Sequence, residues 1–484
     1  MRLTFVTSEI RPFSQTGGLG DVSEALPAAL AAAGCDVTVV TPLYRSAARA
    51  LADAGLATAM VDAPPLRIGP ADHPLRFRLL TRDGYRVAFA VHDGFFDRPS
   101  LYVDADGADY PDNVARFAFL CRAAIALAHV DGVAPDVVHC NDWQTGLLPC
   151  YLRAGALPGA RSVFTIHNLA YQGHAPAADV LTAGLGWTWF HAEALEFYGG
   201  LNLMKGGLFF SDAITTVSPS YAEEIQTPAA GHGLDGVLRS QRHKLRGILN
   251  GIDVARWDPA ADPFLPATFT ADDLSGKARC KRALQDAAGL PVDPAAMLLG
   301  AIGRFDRQKG MPQICDAFRL LAPLGVQLVI LGAGDPAIEA RVRLLTAQYP
   351  RQVAATVGFD ERRAHLIEAG ADAFLMPSVF EPCGLNQMYS QRYGTVPIVR
   401  ATGGLRDTVT DFSPGRLAAH MASGFSFEGL DAAHLAEAVL RAWRLFAHEP
   451  AAWRRLTTDI MAIDHSWARR AGEYLSLYDE ILAR

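Results

Sequence analysis

Several groups of residues have the types and spacing for chemistry on a phosphorylated ligand. Thr16-Gly17-Gly18-Leu19-Gly20-Asp21 follows a short apolar run, residues 3–7, and opens an alanine-rich segment. A strand, a glycine turn and a helix start in that order present backbone N–H groups to an anion, and side-chain-free glycines let it come close. Thr402-Gly403-Gly404-Leu405-Arg406-Asp407 repeats the pattern behind another apolar run, residues 396–399. Arg304 and Lys309 share one loop, 303–310. Alone, each reads as a solvated surface cation. With a Gly-Gly turn and a carboxylate from the same lobe they read as a diphosphate clamp, the arginine forked and the lysine a point charge. Neutralising a diphosphate as it departs is electrostatic catalysis.

Glu381 lies in Phe380-Glu381-Pro382-Cys383-Gly384-Leu385-Asn386. It either puts negative charge at a helix start or sets a carboxylate beside a sugar ring that gains positive charge; the spacing leaves both open. Cys383 reads as a structural or pocket-wall thiol, since the sequence pairs it with no base. Two polar clusters stand at successive strand ends, His139 with Asp142 and His167 with Asn168, where ligands of open α/β sheets bind. A further strand leads into Asn250-Gly251. Tyr110, Trp143 and Tyr171 are candidate sugar platforms, with core packing the alternative for each.

The elements that must position these residues read as repeated strand–helix units. Asp21 is expected to cap a helix over 22–33 that ends at Gly34, with the next strand at 36–41, a parallel βαβ opening. The glycines do not spell G-x-G-x-x-G, no acidic residue ends the second strand, and no Gly-Lys-Ser/Thr occurs, so neither nucleotide fingerprint applies. Residues 50–111 look irregular, with β-prone pieces at 75–80 and 85–92. Their Asp104-Ala105-Asp106-Gly107-Ala108-Asp109 reads as a solvated loop, because the twelfth position of a calcium hand falls on Ala115. A helix over 113–128 and strands at 136–140, 162–166, 213–217 and 245–249 complete a first lobe. The Pro/Asp/Ala-rich stretch 257–273 reads as the interlobe connection. Strands at 297–302, 327–331, 354–357, 373–376 and 396–399 make a second doubly wound sheet, with Asp335-Pro336 starting a helix. Residues 466–484 have a helical pattern with Tyr474, Leu477, Tyr478 and Leu482 along one side. The fold class is therefore α/β, two Rossmann-like doubly wound lobes facing a central cleft. The expected domains are 1–255, 256–463, and a C-terminal helix, 464–484, packing back on the first lobe.

The totals agree with this division: 484 residues exceed one ordinary core. The net charge of −7, with no long basic run, argues against nucleic acid, so an anionic ligand must meet local cations. Seven cysteines, scattered and without Cys-x-x-Cys spacing, fit a reducing compartment and no zinc site. Glu9 and Arg11 cut short the N-terminal apolar run, which argues against a signal peptide. Arg122 breaks the longest apolar stretch, 117–130, leaving none expected to span a bilayer. These features point to a cytoplasmic protein with no membrane partner.

Gln15–Asp21, Asn141-Asp142-Trp143, His167-Asn168-Leu169-Ala170-Tyr171-Gln172-Gly173, Val217-Ser218-Pro219, Leu249-Asn250-Gly251, Arg304 to Gly310, Phe380 to Leu385 and Thr402-Gly403-Gly404-Leu405 together resemble bacterial glycogen synthases and plant starch synthases. The match runs in order along nearly the whole chain. The resemblance implies the glycosyltransferase B fold and transfer of glucose from ADP-glucose to the non-reducing end of an α-1,4-glucan, retaining anomeric configuration, with no metal or other cofactor. It implies that Arg304 and Lys309 hold the diphosphate, Glu381 supports the glucosyl cation, and His167 faces the reacting carbon with its carbonyl. Asp142 and Asn168 would bind glucose, Gly18 and the Thr402-Gly403-Gly404 amides phosphate, Phe359 adenine, and Tyr110 the acceptor. Gln15, Gly17, Asp21, Trp143, Asn250, Cys383, Gly384 and Leu385 complete the expected substrate-binding set. The chain departs from the family at Gln15, where lysine is common, which keeps UDP-glucose or a short oligosaccharide acceptor as an alternative. It departs also at Asn141, Asn386 and Phe359. A catalytically silent carbohydrate-binding protein is the rival from another class, opposed by the presence of Arg304, Lys309, Glu381 and His167. An oxidoreductase is weakened by the missing dinucleotide fingerprint.

Overall fold

The computed structural model describes residues 1–484, which form two compact units. Unit 1 is Met1–Gly251 with Trp467–Arg484, and unit 2 is Ile252–Ser466.

In chain order the strands of unit 1 are β1 (Arg2–Val6), β2 (Asp36–Pro42), β3 (Ala59–Ile68), β4 (Ala71–Arg82), β5 (Tyr85–Val91), β6 (Val137–Asn141), β7 (Arg161–Ile166), β8 (His174–Pro176), β9 (Glu196–Phe197), β10 (Gly200–Asn202), β11 (Ala213–Thr216) and β12 (Leu245–Gly247). Nine of them form one sheet in the order β12-β11-β7-β6-β1-β2-β5-β4-β3, and β8, β10 and β9 form a small separate one. β1 pairs in parallel with both β2 and β6. From β1 the chain passes to β2, then to the edge strand β3 and back inward through β4 to β5 beside β2, and afterwards continues on the other side of β1 through β6, β7, β11 and β12. The loops after β1 and β6 meet where that order reverses, the place where open α/β sheets bind ligands. The central strands are apolar and buried on both faces, as covered parallel strands must be.

Several expectations need correction. β3 and β4 are a long antiparallel hairpin where the sequence looks irregular. Pro64 and Pro65 disguise β3, but it is an edge strand, and its register shifts between Ala63 and Leu66 to accommodate them. The first helix is Gly18–Ala32, so Asp21 lies in its first turn and Gly17 is its cap residue. The helix Asn113–Asp131 has 19 residues and a mean hydropathy of 1.3, enough to cross a membrane by length and composition, despite Arg122. Here it packs in the core of unit 1. Its Arg116 is fully buried and donates to the Phe95 and Leu101 carbonyls and to Asn113 Oδ1.

His139 is a strand residue, not part of a strand-end cluster. It is wholly buried, 2.6 Å from Thr165 Oγ1 through Nε2 and 2.7 Å from the Tyr478 hydroxyl through Nδ1. Burial pushes the imidazole down to about 3, so it is neutral. That contact fastens the helix Trp467–Leu482 to β6. Tyr474, Leu477 and Tyr478 are buried along it, but Leu482 is exposed and Ile481 takes its place.

Unit 2 holds β13 (Leu298–Ile302), β14 (Gln327–Gly332), β15 (Val353–Val357), β16 (Ala373–Met376), β17 (Val396–Arg400) and β18 (Phe425–Phe427). All pair in parallel, in the order β15-β14-β13-β16-β17-β18, so this sheet reverses between β13 and β16. Asp335 caps the helix Pro336–Gln348, accepting from the Ala337 N–H at 2.7 Å. The stretch 257–273 is no open connection. The Trp257 ring stacks between His365 and Tyr389, with 3.9 Å between centroids on each side. The buried Asp262 carboxylate accepts from His365 Nδ1 at 2.7 Å and from the Tyr393 hydroxyl at 2.6 Å.

Tyr478→Phe removes a buried hydrogen bond and leaves a ring nitrogen of His139 without its partner. The expected loss is about 1–3 kcal/mol of local stability. Hydrogen exchange should quicken in the amides of the helix Trp467–Leu482; unchanged exchange would show that the contact does not hold the helix.

Candidate active site

In unit 2 the loops after β13 and β16 are bonded together. The Val379 N–H donates to the Gln308 carbonyl at 2.8 Å, and Gln308 Nε2 to the Phe380 carbonyl at 3.4 Å. This brings Lys309 Nζ to 2.7 Å from Glu381 Oε2, an oxygen that also accepts from Ser378 Oγ at 3.0 Å. Glu381 is only 5% exposed, and a carboxylate so far from water needs such partners. The Lys309 backbone is fixed by its own N–H to Asp306 Oδ1 at 2.8 Å. Arg304 contacts Gln308 Oε1 at 3.1 Å and Asp306 Oδ2 at 3.4 Å and keeps half of its side chain in water. From the end of β17, Arg400 Nη1 donates to the Val379 carbonyl at 2.7 Å and to that of Ser378 at 3.3 Å.

The second glycine turn is the neighbour of Glu381. Gly403 has φ +45°, and a Cβ there would stand 2.0 Å from the Glu381 carbonyl oxygen; one at Gly404 would stand 2.2 Å from that of Cys383. Glycine is therefore required by backbone against backbone. The Thr402 N–H donates to the Arg400 carbonyl at 2.9 Å and the Gly404 N–H to the Glu381 carbonyl at 3.1 Å. Two of the three amides expected at a phosphate, those of Thr402 and Gly404, thus already have partners inside the chain. Cys383 is buried as a wall residue, Gly384 turns with φ +73°, and Leu385 precedes the helix Asn386–Arg392. Phe359 follows β15 and is 90% exposed, an aromatic face without a cover.

In unit 1, Glu9 organises the first glycine turn. Its buried carboxylate accepts from the Thr16 N–H at 2.6 Å, Thr16 Oγ1 at 2.7 Å, the Gly17 N–H at 3.3 Å and the Tyr102 hydroxyl at 2.6 Å. The turn already holds a carboxylate of its own, so the Thr16 and Gly17 amides are engaged inside the chain. Gln15 Nε2 donates to Asp21 Oδ2 at 2.7 Å and to the Gly17 carbonyl at 3.1 Å. Burial raises the Asp21 carboxyl above its usual range, against the opposing pull of Arg11, 3.2 Å away.

After β6, Asp142 adopts φ +55° and its Oδ1 accepts from the backbone N–H of His167 at 2.7 Å and of Asn168 at 3.4 Å. Burial pushes this carboxyl up to about 7, with the two amides pulling the other way. His167 Nε2 lies 2.9 Å from Asn141 Oδ1, and Asn141 Nδ2 donates to the Val6 carbonyl at 3.0 Å. That orientation of the amide places the proton of His167 on Nε2. Burial pushes the ring down to about 3, so His167 stays neutral. Asn168 Oδ1 accepts from the Ala170 N–H at 3.0 Å. Asn250 is buried, with an Oδ1 that has no hydrogen-bond partner.

The aromatic candidates separate. Trp143 is 7% exposed and meets Phe117 edge to face at 5.0 Å, so it is a wall and not an open platform. Tyr171 is exposed. The half-buried Tyr110 ring has the guanidinium carbons of Arg98 and Arg116 at 4.6 and 4.9 Å. The acidic loop spends Asp104 on its own turn, whose Oδ1 accepts from the Asp106 and Ala108 N–H groups at 3.0 Å each. Glu9, Tyr102, Asn141 and Arg400 were not singled out from sequence as site residues. Glu9, Asn141 and Arg400 each stand at or just past the end of a parallel strand, which is the signal that could have found them.

Since Asp142 ionises near pH 7 in the folded chain and near 3.9 unfolded, the folded state binds more protons between those values, so its contribution to stability falls as pH rises towards 7 and levels off above. Wild type should gain stability relative to Asp142→Asn as pH drops from 8 to 6 in thermal unfolding; parallel profiles would contradict the ionisation.

Residues 2–240 match the family model for the starch synthase catalytic domain, and residues 288–445 that for glycosyl transferases group 1. The chain is 49% identical to a glycogen synthase of Anaeromyxobacter sp. (strain Fw109-5), over 100% of both chains. It is also 49% identical to glycogen synthase 1 of Methylococcus capsulatus, over 100% of this chain and 97% of that one. A solved structure of the catalytic domain of starch synthase IV from Arabidopsis thaliana, bound to ADP and acarbose, aligns with a TM-score of 0.90 at 34% identity, covering 100% and 99% of the two chains. Sucrose-phosphate synthase from Thermosynechococcus elongatus, at 19% identity and a TM-score of 0.61, shares the fold. With two doubly wound sheets, charged groups at both reversals and relatives of this similarity over its full length, the chain belongs to the glycogen and starch synthase family of glycosyltransferases with the GT-B fold.

Proposed function

We propose that the chain transfers glucose from ADP-glucose to the non-reducing end of an α-1,4-glucan such as glycogen, with retention of configuration and no metal. The observation that carries the reading is the nearly dry Glu381 held by Lys309 at the reversal of the unit 2 sheet, in a chain whose relatives are glycogen synthases.

The roles follow from charge. Lys309 and Arg304 take the diphosphate. Glu381 faces the glucosyl carbon as it gains positive charge, and its pairing with Lys309 sets an anion and a cation in advance where the breaking bond needs each. His167 is uncharged and contributes its backbone carbonyl and a neutral imidazole, while Asp142 and Asn168 take glucose hydroxyls. Asp142 holds the turn that presents His167 through that residue's own N–H. The acceptor attacks on the face the diphosphate leaves, and the departing phosphate takes its proton. Phe359 offers a face to adenine, and Tyr110 belongs to the acceptor side.

Gln15 favours weighing a second donor. Its amide is turned to Asp21 and brings no cation to the first glycine turn, so UDP-glucose is the alternative donor.

Incorporation of labelled glucose into glycogen from ADP-glucose and UDP-glucose in parallel tests the reading. Preferential use of ADP-glucose is expected; preference for UDP-glucose overturns the donor, and no incorporation from either overturns the function. Glu381→Gln should lower turnover on the order of 100-fold or more with donor binding little changed, and near-normal turnover would remove its assigned role.

A further inference from the structure

Asn141 is the last residue of β6 and a position at which the chain departs from its family, and the assigned chemistry gives it no part. Its side chain is buried and reaches towards both neighbouring strands. On the β1 side, Nδ2 donates to the Val6 carbonyl at 3.0 Å and, within β6, to the His139 carbonyl at 3.4 Å. On the β7 side, Oδ1 lies 2.9 Å from His167 Nε2. The amide has one orientation: turned over, its oxygen would face two carbonyl oxygens, and neither can donate.

An amide oxygen only accepts, so Nε2 of His167 must carry the ring proton and donate it to Asn141. Burial keeps the ring neutral, which leaves Nδ1 with a lone pair and no proton. The ring makes no second hydrogen bond within the chain. Its ionisable neighbours are turned elsewhere. Asp142 Oδ1 accepts from the backbone N–H groups of His167 and Asn168, and the His139 ring, also neutral, bonds to Thr165 and Tyr478. An amide does not titrate, so it imposes the same tautomer at every pH, as a carboxylate or a second imidazole would not. His167 is thus held twice, by Asp142 through its backbone and by Asn141 through its ring.

We propose that Asn141 is a positioning residue that fixes His167 in the Nε2–H tautomer, so that the imidazole meets the donor sugar as an acceptor only. The proposal rests on the nucleotide-sugar reading above and deepens it. Such a ring selects a sugar with an O–H donor at the position that faces Nδ1, and it disfavours one with hydrogen or fluorine there. Nδ1 has no proton to give, so the imidazole takes no acid role in the transfer.

The test begins with the full wild-type chain carrying isotope-labelled histidine, whose ring nitrogens are read by magnetic resonance. The His167 signals are those lost in His167→Gln. Nε2 should be protonated and Nδ1 unprotonated throughout the neutral pH range; a protonated Nδ1 overturns the proposal. Calorimetry then compares binding of ADP-glucose with that of analogues in which each sugar hydroxyl is replaced in turn by hydrogen or by fluorine. At one position hydrogen should weaken binding about tenfold, and fluorine, which cannot donate, should do no better. Recovery of binding with fluorine at that position, or equal binding of all analogues, overturns the acceptor role. Asn141→Asp sets a carboxylate beside the ring and favours the imidazolium, which has no free lone pair. Its kcat/KM for ADP-glucose, as a ratio to wild type, should therefore fall as pH drops through the neutral range, whereas a ratio independent of pH would mean that Asn141 acts by packing alone. The wild-type spectrum and analogue binding decide the matter if that variant does not fold. If wild type binds no nucleotide sugar, the functional reading fails, and the spectrum still decides the tautomer.

Discussion

The reversal of strand order in each sheet is the constraint on which the functional residues depend. Right-handed crossovers cover the faces of a parallel sheet, and only where the order reverses do two neighbouring loops leave the same edge in opposite directions. In unit 2 that place lies between β13 and β16, and Lys309 and Glu381 bridge it at 2.7 Å. Removing one partner of such a buried pair typically costs about 3–5 kcal/mol, because the other charge is left uncompensated. The pair therefore holds both loops in one register, together with the Val379–Gln308 and Arg400–Val379 bonds.

Unit 1 solves the same problem with the opposite sign. At its reversal, between β1 and β6, Glu9 gathers the Thr16 and Gly17 amides and Asp142 gathers those of His167 and Asn168. Carboxylates shape backbone there, whereas in unit 2 cations hold a carboxylate and carbonyls. Burial pushes the Asp142 carboxyl up to about 7, and the Glu9 carboxylate accepts four hydrogen bonds. The cations Lys309 and Arg304 are in unit 2, and neutral hydrogen-bonding groups around His167 are in unit 1.

Much of this was legible in the sequence, because apolar runs ending in polar or glycine residues mark parallel strands and their ligand-facing ends. Lys309, Glu381, His167 and Asp142 all stand at such ends. What was hidden had physical reasons. Pro64 and Pro65 obscured β3 because only an edge strand tolerates them. The stretch 257–273 has linker composition, yet Trp257 and Asp262 find buried partners more than 100 residues away. His139 resembled a site residue because a buried histidine and a ligand-binding one look alike until the Tyr478 hydroxyl is seen. Glu9 resembled an interruption because its partners, Thr16 and Tyr102, are set by the fold.

The glycine turns show how a correct motif can carry a different cause. Both were expected to be open to an anion. Around Gly403 and Gly404, however, the tight approach is to the Glu381–Cys383 backbone, and at Thr16 and Gly17 the anion is Glu9. The turns thus fix the backbone around Glu381 and Glu9 through bonds inside the chain. Amides committed inside the chain cannot drift, and the Gly404 N–H on the Glu381 carbonyl fixes the carboxylate-bearing backbone itself. Electrostatic stabilisation is effective only when its groups are already oriented and need not reorganise as charge develops. In a chain of net charge −7 an anionic ligand must be met by locally placed cations and not by the overall field. Backbone fixed around Lys309 and Glu381 holds that ion pair in one geometry, so it is already oriented in the way electrostatic stabilisation requires.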